Sequence, residues 1–119
     1  MAGPFVTIVN ATRHTVLGDK VAVAQTSLSR MVGLLGKDGL EPGAGLLICP
    51  SQGVHTIAMS FPIDVVFLDR SWRVIHVCPS MPPYRVTGVR WKARTVLELP
   101  AGVIAESSTA VGDELEVLD

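Results

Sequence analysis

The hydrophobic and polar positions of this chain fall into short runs separated by glycine and proline, and the most regular runs lie at its centre. From Val54 to Met59 apolar and β-branched residues dominate, Ser60-Phe61-Pro62 interrupts, and Ile63 to Leu68 is then apolar except for Asp64. Runs of this length on either side of a proline turn predict two strands, paired as a hairpin or placed as neighbours in one sheet. The second run reads as buried on both faces. A carboxylate inside it must find hydrogen-bond partners or shift its pKa, which makes Asp64 the anomaly of the stretch. If the two runs pair directly, one register leaves His55 opposite Phe67 and Asp64 on the other face beside Ala58 and Thr56. The other register puts His55 and Asp64 on one face. Even then roughly 13 Å of strand separates them at about 3.3 Å per residue, too far for a direct dyad.

The flanking sequence carries the same alternation. Pro4 to Asn10 predicts a first strand. Arg13 to Leu17 and Val21 to Gln25 predict a hairpin turning at Gly18-Asp19. Thr26-Ser27 offers an N-cap, Leu28, Met31, Leu34 and Leu35 recur at helical spacing, and Gly36 is placed for a C-cap, so a short helix is expected from Ser27 to Leu35. Lys37 to Gly45, with three glycines and a proline, reads as a structured loop. It leads into a short buried strand from Leu46 to Cys49, closed by Pro50.

After the central pair, Asp69 to Trp72 reads as a turn and Arg73 to Cys78 as a strand. Pro79 to Tyr84 is a proline-rich crossing segment unsuited to a sheet interior. From Val89 to Leu99 the alternation predicts a long strand with Trp91, Ala93, Thr95 and Leu97 on one face. Arg90, Lys92, Arg94, Val96 and Glu98 fall on the other, largely charged face, expected to meet solvent. Val103 to Ser107 suits a helical turn, and Val111 to Leu118 a turn and a final strand. About eight short strands with one or two short helices, and no helices alternating with strands, predict a mainly β domain, a compact and partly closed β-barrel.

At 119 residues the chain fits one domain with a core of its own. Apolar residues make up 48% and charged residues only 18%, a compact and rather greasy composition. The net charge of −1 supplies no global attraction to nucleic acid or to an acidic membrane surface. No apolar run reaches the roughly 20 residues of a membrane-spanning helix, and no secretory signal is visible. Two cysteines do not make a disulfide scaffold. A cytoplasmic location is the resulting expectation.

A longer pattern joins these pieces. Gly33-Leu-Leu-Gly36, Gly45-Leu-Leu-Ile48, the block from His55-Thr56 through Met59 to Asp69, Val96 to Gly102, and Gly112-Asp113 together resemble the family known as domain of unknown function 192. The resemblance covers roughly Ser29 to Val117. It implies a small bacterial or archaeal domain, chiefly β, with no established activity. Many members carry a tryptophan and an asparagine near Ile57 to Ser60, where this chain has the His-Thr form of the motif, so no residue role is carried across.

The candidate pocket residues are Arg30, His55, Thr56, Met59, Asp64 and Glu98, where polar groups interrupt core sequence. Asp64 and Glu98 would offer carboxylates, and His55 an imidazole that titrates near neutral pH. The structural reading of Asp64 is an acceptor for backbone N–H groups of the glycine-rich loop. Arg30 sits at the expected helix start, where backbone N–H groups favour an anion. Cys49, His55, His76 and Cys78 are metal-ligand types, but their spacing matches no common zinc site, so neither metal nor other cofactor is expected. Arg90, Lys92 and Arg94 form a candidate basic face, yet Trp91 would point away from it, which argues against nucleic acid as a partner.

Three functions follow. The first is a non-catalytic module binding a small polar ligand or peptide, in a pocket framed by the Gly36 to Gly45 loop, the His55 strand and the Glu98 to Gly102 turn. The second is a hydrolase-type enzyme using Asp64 and His55. The third is an accessory protein that binds nucleic acid or a partner through the basic face. Oligomeric state stays open, with the first and last strands as candidate exposed edges.

Overall fold

A computed structural model of the chain describes residues 5–24, 40–53, 61–82 and 87–119. Among them are seven strands and one helical turn: β1 (Phe5–Asn10), β2 (Thr15–Ala24), β3 (Ala44–Ile48), β4 (Ile63–Leu68), β5 (Val74–Met81), β6 (Thr95–Pro100), α1 (Val103–Glu106) and β7 (Leu115–Leu118). All seven strands lie in one sheet, in the order β5-β4-β6-β3-β2-β1-β7. The protein is mainly β, as the short alternating runs predict.

The apolar run at the centre of the sequence becomes β4, buried along its whole length. Its two faces belong to two different cores. Ile63, Val65 and Phe67 join Leu46, Ile48 and Val96 on one side of the sheet. Val66 and Leu68 join Leu47, Leu97 and Leu99 on the other, together with Ile8, Leu17, Val21, Val74, Leu115 and Ile104. Every strand contributes to this second core, so the sheet curls around it. The edge strands β5 and β7 approach at one end, where Arg73 and Glu114 form a single bridge and the Leu115 N–H donates to the Trp72 carbonyl at 2.9 Å. The sheet is not closed into a barrel.

Several sequence expectations change here. β4 is hydrogen-bonded along both edges, by β5 and by β6. It has no free edge for the hairpin expected with residues 54–59, which themselves lie outside the described residues, as does the helix expected from Ser27 to Leu35. The hairpin at Gly18-Asp19 is absent as well: β2 runs through it, antiparallel to β1 and then parallel to β3 from Lys20 onward. Gly18 serves a close approach rather than a turn. The Gly43 carbonyl accepts from the Asp19 and Lys20 N–H groups at 3.0 and 2.8 Å, and a Cβ on Gly18 would sit 2.8 Å from that same oxygen.

β5 continues through Pro79 to Met81, where a crossing segment was expected; it is an edge strand, where a missing N–H is tolerated. The long charged strand from Val89 does not form. Residues 91–94 form no strand, β6 starts at Thr95, and Val96 and Glu98 are fully buried between β3 and β4. Because Glu98 and Val96 meet strands on both sides and a core above, their face has no access to solvent. Of the two strands proposed as edges, β7 is one, while β1 is flanked by β2 and β7.

Replacing Gly18 with alanine forces the Gly43 carbonyl away from β2. Gly18→Ala is expected to destabilise the fold by about 1–3 kcal/mol, read as a lower urea midpoint with an unchanged slope. An unchanged midpoint would show that the loop yields freely.

Candidate functional site

Asp64 projects from β4 onto the side of the sheet that faces Ile104, and its carboxylate is enclosed there. Oδ1 accepts the Ser80 N–H at 2.7 Å and Oδ2 accepts the Ile104 N–H at 2.8 Å. The first donor exists because β5 carries an extra residue opposite Asp64, with Ile63 paired to Met81 and Val65 to Cys78. Within that bulge Ser80 takes φ 49°, which turns its N–H inward. The second donor is one of the N–H groups that a helix start leaves unpaired, and α1 has no side-chain cap of its own. Asp64 therefore caps α1 from a distant strand. Its partners are backbone N–H groups, but those of β5 and α1 and not of the glycine-rich loop.

Glu98 is equally buried but lies on the opposite face, directly across from Leu46 on β3 and Val65 on β4. The two carboxylates expected to share a pocket are thus separated by the sheet. Arg30, His55, Thr56 and Met59 lie outside the described residues.

The basic face also divides. Arg90 turns to β5, where its Nη2 lies 2.9 Å from His76 Nε2. A guanidinium can only donate, so that imidazole nitrogen must accept, which requires neutral His76 with its proton on Nδ1. Burial lowers the His76 pKa below its usual value, and the neighbouring Arg90 charge lowers it further. Cys78, on the same strand, is raised by burial, with Arg90 acting in the opposite direction. Cys49 and Cys78 are both free thiols. Among the described residues no group of three or more His, Cys, Asp or Glu side chains is placed to hold a metal. Lys92 and Arg94 remain exposed, beside Arg70 and Trp91.

A polar cluster that the sequence reading missed joins the start of the chain to its end. Asp113 Oδ2 accepts from Asn10 Nδ2, Arg13 Nε and the Ala110 N–H, each at 3.0 Å, and Asn10 Nδ2 also reaches Thr109 Oγ1. About 100 residues separate Asn10 and Arg13 from Thr109 and Asp113, so no local spacing announces the cluster. Burial alone would raise the Asp113 pKa, but the bonds from Arg13, Asn10 and Ala110, with the Arg13 charge, outweigh it and hold the carboxyl below its usual range.

An open cleft of about 700 Å³ lies between β2, the glycine-rich loop and the β6–α1 turn. Leu17, Leu40, Pro42 and Ala101 give it apolar walls, and among the described residues Asp19 and Glu106 are its charged lining. Gly43 takes φ +82°, with Asp19 Oδ1 lying where a Cβ would be, so both the conformation and the space require glycine there. Two of the three expected pocket walls, the loop and the turn, meet here. Asp64 and Glu98 are not among its lining residues.

A family model described as DUF192, Uncharacterized ACR, matches residues 7–117. The chain belongs to this family. It is 30% identical over 117 residues to a UPF0127 protein of Thermococcus sibiricus, covering 92% of this chain and 73% of the relative. A UPF0127 protein of Pyrococcus horikoshii is 29% identical over 115 residues, covering 92% and 96%. In structure the chain is similar to a protein of unknown function from Novosphingobium aromaticivorans. The TM-score is 0.72 at 22% identity, with 93% of this chain and 82% of the other covered, a likeness of fold.

The depressed Asp113 pKa fixes a sign. A carboxyl held low in the fold stabilises it fully above the unfolded value of about 3.9, and that contribution disappears as pH falls through the folded value. Asp113→Asn should cost about 2–3 kcal/mol at pH 7 and much less at the acid limit, with denaturant midpoints followed against pH. An equal loss at every pH would assign the cost to packing instead.

Proposed function

We propose that this domain is a non-catalytic binding module whose ligand seat is the cleft between β2, the Gly43 loop and the β6–α1 turn. One observation carries the reading: apolar walls and two carboxylates, Asp19 and Glu106, with no Lys, Arg or His among the described lining residues. Such a seat favours a small polar ligand or peptide side chain that is cationic and has an apolar stem, such as an amine or guanidinium. The Gly43 conformation and the bonds from Asp19 and Lys20 to its carbonyl pre-form one wall, which reduces the ordering cost of binding.

The alternative enzyme built on Asp64 and His55 draws little support from Asp64. A general base must present a lone pair to its substrate proton. Both Asp64 oxygens instead accept backbone N–H groups, at a position with no solvent exposure.

Titration of the 15N-labelled protein with butylguanidinium is expected to shift the amide resonances of Gly43 and Ala101 in a saturable way. Glu106→Gln should weaken that response about five-fold or more, the loss of one charge-assisted bond. Butyrate, with the same stem and the opposite charge, should leave these resonances in place. Equal responses to the two probes would remove the charge argument on which the reading stands.

A further inference from the structure

The expected geometry of residues 89–99 sets Trp91 on the face opposite Arg90, Lys92 and Arg94, and that opposition, with the net charge of −1, argues against nucleic acid. The structure removes the opposition. Residues 91–94 turn before β6 begins, and Trp91, Lys92 and Arg94 line one cleft of about 450 Å³ together with Arg70 and Gln52. Trp91 is 85% exposed, far beyond what a core or packing role requires of an indole.

The backbone beneath these side chains is fixed. The Arg90 N–H donates to the Gln52 carbonyl at 2.9 Å, the Ala93 N–H to the Arg90 carbonyl at 2.9 Å, and the Arg94 N–H to the Leu68 carbonyl at 2.8 Å. The Ser51 N–H donates to the Arg94 carbonyl at 3.0 Å, and Gln52 Nε2 to the Trp91 carbonyl at 3.1 Å. A second cleft is lined by both Arg70 and Arg94. Among the described residues Asp69 is the acid lining both clefts, and its Oδ1 is engaged by the Ser71 and Arg73 N–H groups at 2.8 and 3.0 Å.

We infer that this cation and indole surface, formed by Arg70, Trp91, Lys92 and Arg94, binds single-stranded nucleic acid, with phosphates held by the cations and a base stacked on Trp91. An exposed indole adds nothing to the binding of a simple anion but gives a planar base a stacking platform. A duplex keeps its bases stacked internally, and an acidic peptide supplies charge without a ring, so the combination favours an unpaired strand. The net charge of −1 does not oppose this, because charges more than about 8–10 Å away are screened. The surface is distinct from the acidic cleft, so the inference does not depend on the ligand proposed there.

The test is fluorescence anisotropy of the whole chain with a labelled oligothymidylate of about 12 nucleotides at low salt. Saturable binding is expected, with affinity falling as salt rises at a logarithmic slope near −2, from three phosphate contacts at about −0.7 each. Trp91→Ala should weaken binding about ten-fold or more and leave the slope unchanged. Lys92→Gln should reduce the slope by about 0.7. Both positions are exposed, so thermal midpoints equal to the parent's will show that the variants are folded, and Glu106→Gln should bind the oligonucleotide as the parent does. No binding at low salt overturns the inference. So does binding that Trp91→Ala leaves intact, or displacement of the oligonucleotide by polyglutamate at equal charge, which would mark a general anion surface.

Discussion

One buried carboxylate holds three parts of this fold together. Asp64 sits in the middle of the most apolar strand and is shielded from water on every side, yet both of its oxygens meet a backbone N–H. One bond fixes the bulge of β5 at Ser80, and the other supplies the cap that the short turn α1 lacks. A four-residue helix has too few internal bonds to persist alone, so its place depends on this acceptor and on Ile104 packed in the core beneath it. The same arrangement explains how a charged side chain is accommodated within an apolar run.

The core of the fold was readable because its signal is local. The run from Ile63 to Leu68 announces a strand buried on both faces, and that is its position between β5 and β6. Strand spacing and the absence of alternating helices correctly indicate a mainly β architecture, and the scattered motifs from Gly33 to Asp113 correctly indicate the family. The misreadings came where local pattern and tertiary demand diverge. Gly18-Asp19 has turn composition, but the glycine is needed so that the Gly43 carbonyl can approach β2. Arg90 to Glu98 alternates as a strand should, yet its first residues are drawn into a turn by bonds to Ser51, Gln52 and Leu68, which no spacing encodes. Period-two alternation also cannot tell a solvent face from a second core, which is why buried Glu98 read as exposed.

The candidate sites show the same division. Asp64 stands out in sequence, and the need for internal partners is deducible, but which N–H groups answer it depends on strand order. Asp19 reads in sequence only as part of a turn and Glu106 as an ordinary acid of a helical turn; only the fold brings them to one cleft. The Asn10, Arg13 and Asp113 cluster likewise exists because β1 pairs with β7. The resulting surface separates its charges, with carboxylates at the β2–α1 cleft and cations beside Trp91 at the β4–β5 end, a distribution that the overall charge of −1 conceals.

The most direct test of this account is amide hydrogen exchange in Asp64→Asn beside the parent protein. An amide side chain offers one acceptor oxygen and sets an NH2 against the other backbone donor. Protection at Ser80 or Ile104 should therefore collapse, and global stability should fall by about 2–4 kcal/mol. Unchanged protection at both amides, with a stability change under about 0.5 kcal/mol, would contradict the claim that this carboxylate organises the fold.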